Sequence, residues 1–162
     1  MLSLLGRQRQ LLGDSFFERY ASDWLVWEPG PWRPARSILT NDVETTLKPS
    51  TMEPPRPAGE DALCFELKRV AGAPLSVGRG AENQIVINDL TVSREQFVLQ
   101  LEGASWRVRA TGPLNVDGKP VGAAGALLKS GSVIGAGDVL MTFYSRDGIP
   151  GRLEQESKKH GR

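Results

Sequence analysis

Leu5, Leu12, Phe16 and Tyr20 follow one another at spacings of seven, four and four, so residues 3–22 can carry one apolar stripe along a helix. Gly6 and Gly13 interrupt it, and Ser15-Phe16-Phe17-Glu18 has the Ser-x-x-Glu pattern of a capping box, which predicts a firmer helix from Ser15. The period then changes. Trp24-Leu25-Val26-Trp27 reads as a strand, and alternation sends Trp24 and Val26 to one side and Leu25 and Trp27 to the other, so both faces are apolar. The run stops at Pro29-Gly30-Pro31-Trp32. Three of the four tryptophans lie here, and either the protein's own core or a docked partner must cover their rings.

From Arg33 to Asp61 core-forming residues give way to Pro, Thr, Ser, Glu and Arg, the composition of a linker. Beyond it, short apolar runs recur between turn residues: Leu63 to Val70 with Leu63, Phe65 and Leu67 on one face, then Leu75 to Val77, Gln84 to Ile87, Phe97 to Leu101, Trp106 to Arg109, Leu127-Leu128, and Val139 to Phe143. Asp117-Gly118 between Val116 and Lys119 is the signal of a tight type I′ hairpin. Strands of this kind predict an all-β fold, a two-sheet antiparallel β-sandwich, with Trp106 inside it and Arg107 and Arg109 facing the other way. The stretch from Arg146 to Arg162 is charged and glycine-rich, which predicts disorder. The chain thus divides into an N-terminal helix and Trp-rich segment (1–32), a flexible linker (33–61), the sandwich (62–145) and a disordered charged tail (146–162).

Charge narrows the function. With 20 basic and 19 acidic residues there is no net field to favour nucleic acid or a membrane surface. The leucines near Arg7 and Arg9 would suit a membrane-lying helix, but Asp14 and Glu18 in the same stretch argue against one. No window approaches the ~18 apolar residues of a membrane span, and the first ten residues lack a signal peptide's apolar core. Cys64 is the single cysteine and His160 the single histidine, which leaves no disulfide framework and no metal cluster and fits a reducing, cytoplasmic setting. No paired acid and base and no ordered histidine are present, so the reading is of a binding protein without cofactor rather than an enzyme.

The segment from Gly78 to Arg94 places Arg79, Ser93 and Arg94 where two loops flank a short strand, at one end of a sheet. Two guanidinium groups and a hydroxyl suit an anionic oxygen cluster such as phosphate; the bland alternative for Arg79 is a surface ion pair with Glu82 or Asp89. Gly78-Arg79-Gly80 is not followed by Gly-Lys-Ser/Thr, so a nucleotide loop is not indicated. In the linker, Glu44-Thr45-Thr46 is accessible to a kinase, with Thr45 and Thr46 as candidate phosphorylation sites.

Together, Gly78-Arg79, Ile85-Val86-Ile87 with Asn88-Asp89, Val92-Ser93-Arg94, Trp106, Val116-Asp117-Gly118 and Leu128-x-x-Gly131-x-x-Ile134-x-x-Gly137 leading to Phe143 resemble the forkhead-associated (FHA) domain over roughly residues 62–145. The resemblance implies a β-sandwich whose end loops bind phosphothreonine peptides, with Arg79, Ser93, Arg94 and Gly112 as phosphopeptide-binding residues and Gly78 and Gln96 supporting the loops. It implies a phosphothreonine-containing partner and a Ser/Thr kinase upstream. Some bacterial members resemble the present arrangement in a further way, with a phosphorylatable Glu-Thr-Thr ahead of the domain. The chain departs from the family twice. Gln96 stands where a bracing histidine is usual, and Thr111-Gly112-Pro113-Leu114-Asn115 replaces the Asn-Gly-Thr segment whose Asn holds the peptide backbone. Two readings follow: a phosphothreonine-binding signalling adaptor, or a phosphate-independent scaffold or assembly subunit that uses a sheet face or the Trp-rich segment.

Overall fold

Two short helices, α1 (Leu2–Leu12) and α2 (Ser15–Arg19), precede the strands β1 (Asp23–Trp27), β2 (Leu63–Leu67), β3 (Leu75–Gly78), β4 (Ile85–Val86), β5 (Phe97–Glu102), β6 (Ser105–Ala110), β7 (Asn115–Val116), β8 (Lys119–Pro120), β9 (Ala126–Leu127), β10 (Val133–Ala136) and β11 (Val139–Tyr144), and a third helix follows, α3 (Ile149–His160). The computed structural model describes residues 1–28, 61–70 and 72–160. Trp32, the linker up to residue 60, and Thr45 and Thr46 lie outside the described residues.

The strands form two sheets, ordered β2-β1-β11-β10-β7-β8 and β4-β3-β5-β6-β9. Pairing is antiparallel except between β3 and β4, where Val77 and Gly78 run parallel to Ile85 and Val86. The β7–β8 hairpin turns at Asp117 and Gly118, both at positive φ (51° and 79°), as a type I′ turn requires. β10 has no counterpart in the sequence pattern, because Gly135 and Ala136 carry little strand propensity; its pairing with β11 and β7 holds it.

Alternation along β1 decides the layering. Leu25 and Trp27 point into the core between the sheets, beside Phe97, Trp106, Met141 and Phe143. Trp24 and Val26 point the other way, into a second core with Leu2, Leu5, Phe16, Ile149 and Leu153. The helices therefore roof the outer face of the larger sheet, and Trp24 and Trp27 are buried within their own chain. Trp106 is 1% exposed, while Arg107 and Arg109 lie on the opposite side of β6, both bonded to Glu102. These hydrogen bonds hold the Glu102 carboxyl below its usual range.

Two local expectations fail. The Ser15 capping box does not form: Asp14 is the N-cap of α2 and no side chain caps it. The first helix instead starts at Leu2, where Asp61 accepts from Ser3 N–H (3.1 Å) and Ser3 Oγ–H (2.6 Å) and Ala62 C=O accepts from Leu2 N–H (2.8 Å). A carboxylate brought from a distant segment thus satisfies amide groups that a helix start leaves open. The tail is not disordered either, since α3 occupies most of it. Its few apolar residues fall at helical spacing, so Ile149 and Leu153 reach the second core while Arg152 bonds Glu28 (3.0 Å) and Glu156 (2.6 Å). Burial works against the Arg152 charge, but those two carboxylates outweigh it and raise its pKa.

At the junction of these layers lies Asp23, with no solvent exposure. Its Oδ2 accepts from Trp106 Nε1–H (2.7 Å) and Arg69 Nε–H (2.8 Å), and its Oδ1 from Arg69 Nη2–H (3.1 Å) and Arg146 N–H (2.8 Å). Among the described residues no helix is long and apolar enough to cross a membrane.

Asp23→Ala leaves the Trp106 indole N–H and the Arg146 amide without their acceptor, so it should destabilise the domain by about 3 kcal/mol or more in urea unfolding. Deleting residues 1–28 removes a central strand and should abolish cooperative unfolding, read by near-ultraviolet circular dichroism. Burial pushes the Cys64 thiol from 9.0 up to about 12. Between those pH values the unfolded chain has lost a proton that the native state keeps, so stability should fall as pH rises from about 9 to about 12. In Cys64→Ala that part of the slope should vanish.

Candidate functional site

β3 ends at Gly78, and the loop beyond it is stitched to the loop before β5. Arg79 N–H donates to Ser93 C=O and Gly80 N–H to Arg94 C=O, both at 2.9 Å. The buried Asn83 amide donates to Gly80 C=O (2.8 Å) and to Arg94 C=O (2.6 Å), closing the same pair of loops from the side. The approach is tight at Gly78, where a Cβ would run into the Arg94 carbonyl.

Gln96 joins a third loop to these two. It is 1% exposed; its Oε1 accepts from Ser93 N–H (2.7 Å) and its Nε2 donates to Pro113 C=O (2.5 Å). Its own carbonyl accepts from Thr111 N–H (3.0 Å) and Gly112 N–H (2.9 Å). An amide side chain, donor at one end and acceptor at the other, satisfies both loops at once. Gly112 packs beneath Ser93: a Cβ there would lie 2.8 Å from Ser93 Oγ and 3.0 Å from Gln96 Nε2. The fold thus brings Gly78, Arg79, Ser93, Arg94, Gln96 and Gly112 to one end of the sandwich.

Each arginine has one contact within the loops. Arg79 Nε–H donates to Val92 C=O (3.2 Å), and Arg94 Nη2 stands 3.7 Å from Glu82 Oε1, both side chains largely exposed. Thr111 Oγ–H donates to Glu95 Oε1 (3.3 Å). Two carboxylates therefore share the loops with the two guanidinium groups. The sequence reading offered Glu82 to Arg79 as an ion-pair partner, whereas Glu82 stands beside Arg94, and it passed over Glu95. It also passed over a brace from the far sheet. Asp89 Oδ1 accepts from Thr91 N–H (2.9 Å) and Thr91 Oγ–H (2.6 Å), and Thr91 Oγ in turn accepts from Asp138 N–H (2.8 Å) in the β10–β11 turn. Asp-x-Thr is the visible signal of such a turn; its partner at Asp138 is not visible in sequence. Among the described residues no group of three His, Cys, Asp or Glu is placed to hold a metal ion.

A family model described as the cytoplasmic domain of the inner membrane component of the type III secretion system matches residues 65–147. No curated protein matches the sequence. Among solved structures, the chain is similar to the FHA domain of an Arabidopsis thaliana hypothetical protein, at 18% identity and a TM-score of 0.50, covering 76% of this chain and 85% of that one. It is also similar to an FHA domain solved in a study of phosphothreonine-dependent FHA interactions (19% identity, TM-score 0.49, covering 76% and 95%). A third likeness is to the FHA domain of a Chlamydia trachomatis protein (20% identity, TM-score 0.47, covering 51% and 85%). At these identities the likeness is one of fold.

Gln96→Ala removes both side-chain bonds between loops at a buried position and should cost about 1–3 kcal/mol. Amide exchange at Ser93 should accelerate in the variant, while that of Leu99 in β5 should change only in step with global stability.

Proposed function

The chain belongs to the family described as the cytoplasmic domain of the inner membrane component of the type III secretion system, and from that premise we propose that it is a phosphate-independent assembly subunit, docking protein partners of a secretion apparatus on the cytoplasmic side. It is an FHA-fold, protein-binding domain, and FHA domains are typically non-catalytic binding modules. The expectation of a chain unrelated to any membrane gives way to a narrower one, since the family is defined by an inner membrane component.

One observation supports phosphate independence above the others. The arginines that the resemblance assigns to phosphate are answered from within, Arg79 by the Val92 carbonyl and Arg94 by Glu82, with Glu95 on the adjoining loop. The exposed Arg94–Glu82 pair is worth ~0–1 kcal/mol and is no barrier in itself. Its consequence is electrostatic: a phosphate dianion at this end would meet the Glu82 carboxylate beside Arg94, which weakens the attraction that drives phosphate recognition. The segment Thr111 to Asn115, which lacks the family's gripping Asn, points the same way. A second reading, the phosphothreonine-binding adaptor, is favoured by the convergence of Arg79, Ser93 and Gly112 at one end.

Titration with a degenerate phosphothreonine peptide library and its unphosphorylated counterpart separates the two. The assembly reading expects affinities equal within about twofold, a difference of ~0.4 kcal/mol, with no change in Arg79→Ala. A clear preference for phosphate that Arg79→Ala removes would overturn it in favour of the adaptor.

A further inference from the structure

The first helix has two faces of different character. Inward, Leu2 and Leu5 are buried, Gly6 faces Ser157 of α3, and Arg9 donates to Pro150 C=O (2.9 Å) and Glu154 Oε1 (3.2 Å). Outward, positions 4, 7 and 11 fall on one stripe at helical spacing, occupied by Leu4, Arg7 and Leu11. Leu4 is 56% exposed and Leu11 85%, the most exposed large apolar side chain among the described residues, with Met1 at 63% one turn before Leu4. Single exposed leucines are ordinary on a surface, but an aligned series on one helix of 11 residues is not scatter.

Charge indicates what the stripe meets. α1 contains Arg7 and Arg9 and no acidic residue. Arg9 is taken up by the Pro150 carbonyl and Glu154, which leaves Arg7 as the cation of the outward stripe. Asp14 and Glu18 would count against a lipid contact if residues 3–22 were one helix, but the chain breaks at Gly13; Asp14 is the N-cap of α2 and Glu18 lies within it, next to Arg19. The outward stripe is a helix surface, not a groove that could enclose a peptide. A symmetric pairing of two copies centred on it would set Arg7 against Arg7. Leucines flanking an arginine whose stem can lie flat while its head reaches phosphate are, by contrast, suited to a lipid–water boundary of negative charge.

We infer that the Leu4–Arg7–Leu11 stripe of α1 rests on an anionic lipid surface, as an accessory contact that orients the domain. The choice of lipid rests in part on the proposed place at an inner membrane, but its test reads a different surface from the end loops, so either idea can fail alone.

The whole chain is sedimented with vesicles of phosphatidylglycerol mixed with phosphatidylcholine, and with phosphatidylcholine alone. The bound fraction should be several-fold higher on the anionic vesicles, and Leu4→Ser combined with Leu11→Ser should lower it about tenfold. Arg7→Glu should remove the preference for anionic lipid, and Arg79→Ala should leave binding as it was. Unchanged melting temperatures of these variants confirm that the fold is intact, as expected for exposed positions. Equal sedimentation with both vesicle types, or binding that survives the double substitution, would overturn the inference. So would a dimer, seen by gel filtration with light scattering, that the double substitution converts to monomer, because the stripe would then belong to a second copy.

Discussion

A carboxylate without solvent exposure organises this domain. Burying an ionised Asp is costly unless every strong acceptor site is used, and Asp23 meets that condition with donors from three distant places: the Trp106 indole, the Arg69 guanidinium and the Arg146 amide. Each donor lies in a different part of the fold, namely the strand of the facing sheet, the segment after β2, and the link between β11 and α3. β1 can therefore take one register only, since a slip by one residue would exchange its two apolar faces and carry the carboxylate away from all three. The hydrogen bond from Arg69 to Asp23 raises the Arg69 pKa.

With β1 fixed, the rest of the architecture follows. It lies between β2 and β11, so the larger sheet is continuous only when the first 28 residues are present. Its outward side, Trp24 and Val26, needs a roof, and α1, α2 and α3 provide it. Glu28, at the far end of the strand, holds α3 through Arg152, so one strand tethers helices from both ends of the chain. The family match begins at residue 65, but the folded unit does not.

The end loops show how a fold and its chemistry can separate. Backbone bonds from Arg79 to Ser93, from Gly80 to Arg94 and from Gly112 to Gln96 hold three loops close together, and those bonds make no demand on charge. Gln96 performs with a neutral amide the bridging between Ser93 and Pro113. What the loops present is set by their side chains, and here Glu82 stands beside Arg94 while Glu95 bonds Thr111.

Local periodicity was enough to identify the strands of the sandwich, the two apolar faces of β1, the inward Trp106 and the Asp-Gly hairpin, because each depends on residues within a few positions of one another. The grouping of Gly78, Arg79, Ser93 and Gly112 was legible for a different reason, as the residues fall in short stretches whose spacing resembles a known module. Sequence could not announce β10, whose glycine and alanine are held as strand only by neighbours on both sides. It misread the tail for the same reason: α3 has too few apolar residues to stand alone and is helical because Ile149, Leu153 and Arg152 meet partners some 120 residues away in sequence, such as Glu28. The capping of α1 by Asp61, the engagement of Arg94 by Glu82 and above all the burial of Asp23 were likewise decided in three dimensions. A polar side chain's role depends on which donors and acceptors the tertiary fold brings within about 3 Å, and that is a property no local pattern carries.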